Sequence, residues 1–426
     1  METPRSIGLL CRGWAPDGGG VESHTLGLAQ SLLEHGVCVE VLCTGHDPEA
    51  PSYAVGDWHQ AGVRVRRMNL RGSAPNSLES MDSDPRADAR VREWLDHTQP
   101  DIVHVHHLSG FGFGALTEIA RQGVALVVTL HDYWTLCPRG QMFTPAGDTC
   151  TRVDGPTCSQ CIADTWPGLV PSAEEVCNRL ERARRALTLA HRLIVPSRAA
   201  AQVMRRAGFE GLHFDCVPNA LDATTLAREV TRLRAGRPVG KRLGVIGAVQ
   251  PSKGALELAQ ALVQANVPGL VLDVHGHLAD YHGNTEYVDA LKALARSDSR
   301  IRLHGPFEML DLPRVLATLD AVAVPSLWEE VYGLGAREAR GVGLPVMVAG
   351  RGGLTEWKED AGVTVVSGAG VDVWIEHLIQ FDFVPTAPAH GRSTSQPGGG
   401  VLDLYAGVLP SAAPRGAGPR VGASAS

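Results

Sequence analysis

Short, β-branched apolar runs alternate with stretches of helical spacing twice over in this chain, and that rhythm leaves few folds open. The first series opens with SIGLLC and passes through a glycine-rich turn into VESHTLGLAQSLLEHG. It continues through CVEVLCTG, DIVHVHH, ALVVTLH and RLIVPS. In its first helical stretch Val21, Thr25, Leu28, Leu32 and Leu33 recur at helical spacing, and Gly36 closes it. Strands that alternate with helices are joined by crossovers, so the pattern predicts parallel sheets with helices on both faces.

The rhythm fades over residues 221–242, LDATTLAREVTRLRAGRPVGKR, where GRPVG reads as a linker. It restarts with KRLGVIGAV, a helix from Ala255, LVLDVHG, a helix over 287–295, RIRLHG, a helix over 312–319, AVAVPS, GLGAREARGVG and LPVMVAG. The expected protein is α/β, with one doubly wound parallel-sheet domain over 1–235 and a second over 240–380. A low-complexity tail over 381–426 follows, with a candidate helix at 401–409. The 426 residues agree with this division, since single cores stop growing at roughly 250–300 residues. Ligands of open α/β sheets bind beyond the carboxyl ends of the strands, and the candidate chemistry falls there.

Charge and hydropathy exclude other classes. A net charge of −7 argues against nucleic-acid binding by bulk electrostatics. The first residues lack the apolar stretch of a secretory signal, and nowhere do 18 apolar residues run together, so a cytoplasmic location is expected. Nine cysteines in a reducing compartment read as thiols or metal ligands before disulfides.

EEVYGLGARE, residues 329–338, follows the buried run AVAVPSLW. Gly333 and Gly335 open a helix whose N-terminus offers unpaired N–H groups and the positive end of a dipole. Glu330 stands before that end and Glu338 inside the helix, placed to accept hydroxyls of a sugar or ribose joined to a bound diphosphate. The competing reading makes Glu330 a cap and Glu338 part of a solvated face. Lys253, in GAVQPSKGALEL, sits at a helix start, where the dipole disfavours a cation unless an anion lies between them. His131 ends ALVVTLH, where a histidine would ordinarily be hydrogen-bonded to backbone. In HVHH, alternation puts His104 and His106 on one sheet face as lining or packing groups.

The segment PSLWEEVYGLGAREARGVGLPVMVAGRGGLTE resembles the nucleotide-sugar signature of retaining GT-B glycosyltransferases of family 4 (glycosyl transferases group 1). That signature is a Glu, seven residues and a second Glu, then G-x-P-V and a later Gly-Gly…Glu. Here it falls on Glu330, Glu338, Gly343, Pro345, Val346, Gly352, Gly353 and Glu356. GGVESHTLGLAQSLLEHG is similar to the family's glycine loop and first helix, and His131-Asp132 to its T-x-H-D element. The resemblance runs over residues 18–368 and implies two Rossmann-like domains facing a cleft. It implies transfer of a sugar from a nucleotide-diphospho-sugar donor to an acceptor hydroxyl, with retention and without a catalytic metal. The acceptor would be a carbohydrate, a lipid-linked compound or a small molecule, in polysaccharide, glycolipid or glycosylated-metabolite biosynthesis. The implied catalytic residues are Glu330, His131 and Lys253. The implied donor contacts are Gly19, Gly20, Lys253, Glu330, Tyr332, Gly333, Leu334 and Glu338. A terminal helix, VLDLYAGVL, would cross back to the first domain.

Two departures keep rivals open. Ala248 stands where the family has an Arg five residues before the Lys, and Ala220 replaces the usual Gly in VPNALD. The rivals are a non-catalytic or weakly active GT-B nucleotide-binding protein and a nucleotide-sugar epimerase of the same fold.

Two further features stand outside the signature. Cys137, Cys150, Cys158 and Cys161 could close a structural zinc, or remain reduced thiols packed under the rim of the site. A similar cysteine-rich insertion occurs in a subset of these glycosyltransferases. Residues 178–192, NRLERARRALTLAHR, read as a basic amphipathic helix. It would either make peripheral contact with acidic lipid at the inner membrane face or pack on its own domain.

Overall fold

A computed structural model describes residues 4–15, 19–71, 75–219, 221–278, 280–368, 370–388 and 399–409. Ala220 and residues 389–398 and 410–426 of the expected tail lie outside them. The first sheet holds β1 (Ser6–Cys11), β2 (Cys38–Gly45), β3 (Val55–Gln60), β4 (Val63–Asn69), β5 (Ile102–Val105), β6 (Ala125–Thr129), β7 (Arg192–Val195) and β8 (Asp215–Cys216). Their order is β3-β4-β2-β1-β5-β6-β7-β8, parallel throughout except that β3 returns antiparallel on β4. The second sheet holds β9 (Arg242–Ile246), β10 (Val271–His275), β11 (Ile301–Gly305), β12 (Ala321–Val324), β13 (Val346–Ala349) and β14 (Val363–Val366). Its order is β11-β10-β9-β12-β13-β14, all parallel.

Central strands such as β6 and β13 are buried at every position, as helices on both faces require. In each sheet the direction of winding reverses beside the first strand, between β1 and β5 and between β9 and β12. A crevice forms at such a reversal, so the loops after these four strands carry the site.

The chain departs from the sequence reading in three places. The β3–β4 hairpin interrupts the strand–helix rhythm. Its signal was the alternation in VRVRRMN and a two-residue turn at Ala61 and Gly62, both with positive φ (51° and 82°). The helix Ala223–Arg234, expected in the first domain, packs on the second: Val230 is buried with Leu312, Leu316 and Ala339. Arg234 and Arg237 bond the Leu319 carbonyl and the Asp320 carboxylate there. The changeover therefore falls near residue 220.

The third departure concerns residues 178–192, which are not one helix. The helix is Ala173–Leu187, and Arg192 opens β7. Of its four arginines, Arg184 and Arg185 stay exposed, while Arg179 and Arg182 turn toward a buried carboxylate. Arg179 is buried and sits 3.0 Å from the Asp82 carboxylate, while Arg182 reaches the same carboxylate at 2.6 Å. Among the described residues no helix is long and apolar enough to cross a membrane.

The helix Gly399–Ala406 returns to the first domain. There Val401 and Tyr405 are buried among Ile7, Leu9 and Leu28. The Tyr405 hydroxyl lies 2.6 Å from Nδ1 of His104.

Candidate active site

The loop after β12 delivers Glu330 to the cleft, buried. Its Oε1 accepts hydrogen bonds from Lys253 Nζ at 2.5 Å and from Ser326 Oγ at 2.7 Å. Burial alone would raise this carboxyl, but the Lys253 charge and the two hydrogen bonds outweigh it and hold it below the usual glutamate value. Two glycines permit the arrangement. Gly254 (φ 71°) presses on β12, where a Cβ would stand 1.9 Å from the Pro325 carbonyl oxygen. Gly352 (φ 55°) presses on Glu330 itself, where a Cβ would stand 2.2 Å from its carbonyl oxygen. Larger residues would push Lys253 and Glu330 apart.

Glu338 lies inside the helix Leu334–Gly341, is buried, and makes no hydrogen bond to the described residues. Burial raises its carboxyl to about 7. The solvated-face reading therefore does not describe it. Gly333 caps this helix and Leu334 is its first residue. Across the cleft Gly20 opens the helix Gly20–Glu34, with Gly19 as its cap, and a Cβ on Gly20 would stand 3.6 Å from Leu334 Cδ2. Two helix N-termini thus meet, one from each domain, and each offers amides that suit an anion.

The remaining named residues serve otherwise. The Tyr332 hydroxyl donates to the Asn219 carbonyl of the first domain at 3.1 Å, which ties the domains together. Ala248 is exposed beyond β9. Arg337 lies stacked between the rings of Tyr332 and Trp357, at 3.8 and 4.0 Å, and Arg351 donates to Thr149 of the first domain. Glu356 accepts from the Ala199 amide, also across the domains.

The first domain contributes imidazoles. His106, just past β5, places Nδ1 3.1 Å from Nε2 of His131, just past β6. His24, one turn into the first helix, brings its ring centre to 5.0 Å from that of His131. Burial pushes His24 down to about 4 and His104 to about 3, and holds His106 and His131 well below the usual range, so all four are neutral at pH 7. His104 is a packing residue, bonded to Thr129 and Tyr405, whereas His106 lines the site. His24 was missed in the sequence; its position one turn beyond the glycine loop was the available signal.

Ring nitrogens of His24, His106 and His131 lie within 4.8 Å of one another, a set that could accept a transition-metal ion. Asp273, His275 and His304 form a second such group, but Arg242 already holds the Asp273 carboxylate through two bonds of 2.9 Å. Cys137, Cys150, Cys158 and Cys161 form no such group among the described residues.

Two family descriptions match consecutive parts of this chain: Glycosyltransferase Family 4 over residues 18–225 and Glycosyl transferases group 1 over residues 240–381. The chain belongs to the family 4, group 1 glycosyltransferases. The D-inositol 3-phosphate glycosyltransferase of Arthrobacter sp. (strain FB24) is 27% identical over 356 residues, covering 80% of this chain and 76% of that one. Its counterpart in Mycobacterium bovis (strain BCG / Pasteur 1173P2) is 28% identical over 426 residues, covering 93% and 80%. Sucrose-phosphate synthase from Thermosynechococcus elongatus superposes with a TM-score of 0.65 at 15% identity, covering 95% of both chains. Anabaena HepE in complex with UDP-glucose gives 0.59 at 18%, again covering 95% of both. At those identities the likeness is one of fold, the GT-B architecture.

In this glycosyltransferase the cysteine-rich segment acts as a bracket between the domains. Gln141 Oε1 accepts from Ser252 Oγ at 2.6 Å and from the Tyr281 hydroxyl at 3.0 Å. Thr149 Oγ1 donates to the Leu327 carbonyl at 2.6 Å and accepts from Arg351 at 2.8 Å. Ser252 adjoins Lys253 and Leu327 lies in the Glu330 loop, so the segment steadies both halves of the ion pair.

Proposed function

We propose that this glycosyltransferase moves a sugar from a nucleoside-diphospho-sugar to an acceptor hydroxyl with retention of configuration, and that the transfer needs no catalytic metal. The observation that carries this reading is the grouping of Lys253, Glu330 and the unpartnered Glu338 around two converging helix N-termini. The Anabaena neighbour was captured with UDP-glucose, and the curated relatives are named for transfer to D-inositol 3-phosphate. Such a donor fits this cleft. Glu338 would accept ribose hydroxyls, which favours its ionised form. The diphosphate would draw Lys253 from Glu330 and lie against the amides near Gly20 and Leu334.

The anomeric C–O bond breaks with its electrons passing to the phosphate, whose charge Lys253 and those amides stabilise. The sugar becomes oxocarbenium-like beside neutral His131, which does not repel it, while Glu330 and His131 orient it. The acceptor oxygen attacks from the face of departure and its proton passes to the leaving phosphate. Without an Arg at 248, one charged donor is missing, a loss of about 1.5–3 kcal/mol, or roughly one to two decades in rate.

Thermal melting against a panel of nucleotide sugars tests this. The matching donor should stabilise the protein by about 2.7 kcal/mol at a hundredfold excess over its Kd, and nucleotide release should follow. Absence of stabilisation by every member would overturn the donor reading, and binding without any nucleotide release would favour the non-catalytic alternative.

A further inference from the structure

A cavity of about 1200 Å³ opens in the first domain beside Gly19, at the carboxyl ends of β1, β2 and β4. Four arginines line it, Arg12, Arg67, Arg71 and Arg86, against two acids, Glu22 and Asp84. Both acids are already engaged. Asp84 pairs with Arg86 and accepts the Tyr53 hydroxyl, and Glu22 accepts the Gly19 amide at 2.8 Å. Arg12, Arg67 and Arg71 have no carboxylate within ion-pair distance among the described residues. In a chain of net charge −7 this is a concentrated local excess of positive charge.

Two of these guanidinium groups are held in place. Arg71 donates through Nε to the Ala50 carbonyl at 3.1 Å and through Nη2 to the Pro48 carbonyl at 2.9 Å, leaving Nη1. The Arg67 stem lies across Gly45, where a Cβ would stand 2.4 Å from its Cδ, and its guanidinium rests 5.5 Å from the Trp58 ring centre. A planar donor fork fixed in this way suits a carboxylate or a phosphate oxygen pair. Gly19 borders both this cavity and the helix N-terminus assigned to the donor, whereas Arg67 and Arg71 lie on and just after β4, with β2, β1 and β5 between that strand and β6.

We propose that the acceptor of this glycosyltransferase carries an anionic group, phosphate or carboxylate, bound in the first-domain cavity by Arg12, Arg67 and Arg71. The inference rests on the donor reading above, in which Lys253 and Glu338 of the second domain hold the donor and leave the first-domain side of the cleft to the acceptor. The test uses the full chain with its donor and paired probes: glucose 6-phosphate against glucose, and tri-galacturonate against maltotriose. Nucleotide release should accelerate with a charged probe and not with its neutral parent, and the arm that responds identifies phosphate or carboxylate. Arg67→Gln and Arg71→Gln should each raise the acceptor KM roughly ten- to hundredfold, with donor KM and acceptor-free donor hydrolysis unchanged, and Arg67→Lys should recover part of the loss.

Equal use of neutral and charged probes, an unchanged acceptor KM in both Gln variants, or no response to either charged probe while the donor is still hydrolysed would each overturn the proposal. If the donor itself neither binds nor reacts, the donor reading has failed instead. Calorimetric binding of the charged probes to wild type and to Arg71→Gln then decides the question of the cavity.

Discussion

The two sides of the cleft are prepared by opposite electrostatic means. The second domain uses full charges, Lys253 against Glu330, held together by two glycine contacts. The first domain presents imidazoles that burial keeps neutral. The difference fits the charge that the proposed transfer from a nucleoside-diphospho-sugar would develop. A departing diphosphate needs a cation, whereas a sugar becoming positive needs neighbours that will not repel it. Glu338 shows the cost of omitting a partner, since a buried carboxyl with none is half protonated near neutrality.

The strongest way to break this contrast is to remove the cation. Lys253→Met should lower turnover roughly 100- to 1000-fold, read as nucleotide release, and Glu330→Gln should likewise act on turnover more than on donor affinity. Turnover within tenfold of wild type in Lys253→Met would mean that charge on the second domain does not drive departure.

Glu338→Gln sharpens the contrast from the other direction. The folded carboxyl titrates at about 7 against an ordinary 4.5, so its contribution to stability is complete below 4.5 and is lost as pH rises through 7. At pH 8 the unliganded wild type should therefore be less stable than the Gln variant by on the order of 3 kcal/mol, with the two converging below pH 4.5. Donor affinity should fall about tenfold in the same variant. Parallel melting curves at pH 5 and pH 8 would contradict a buried, unpartnered carboxyl.

The smallest effect is expected at His106. Replacing it with Phe removes the 3.1 Å contact that orients His131, and should lower turnover about tenfold with donor KM unchanged. The pH profile between 6 and 8 should keep its shape, because the imidazoles titrate below that window. At saturating donor, where the bound ribose holds Glu338 ionised, an inflection near pH 6.5 in wild-type turnover would show that His131 is not neutral.

The strand–helix rhythm made both sheets legible, and it put Glu330, Glu338, Lys253 and His131 in loops beyond strand ends. Such signals are local, set by burial period and turn chemistry within a few residues. What escaped was set over long range or ran against the rhythm. Nothing near Arg179 announces that its charge is matched by Asp82, far back in the chain, so a buried arginine looked like part of a basic surface. Thr149 meets Leu327 only after both domains have folded, so the cysteines drew attention while their bracketing neighbours did not. The β3–β4 hairpin sits at a sheet edge, where one strand returns without a crossover. The helix Ala223–Arg234 shows a charged outer face and few apolar positions, too weak a pattern to say which domain it covers.

The helix Gly399–Ala406 has a consequence for how the protein is made. Its Val401 and Tyr405 cover Ile7 and Leu9 of β1, so residues that follow the second domain in the chain close the core of the domain that precedes it. The sheet of the first domain can assemble early, but one apolar face stays open to water until the entire second domain has been synthesised. The domain that is begun first is therefore finished last, and a cut made between the domains would leave residues 4–219 with an unsealed core.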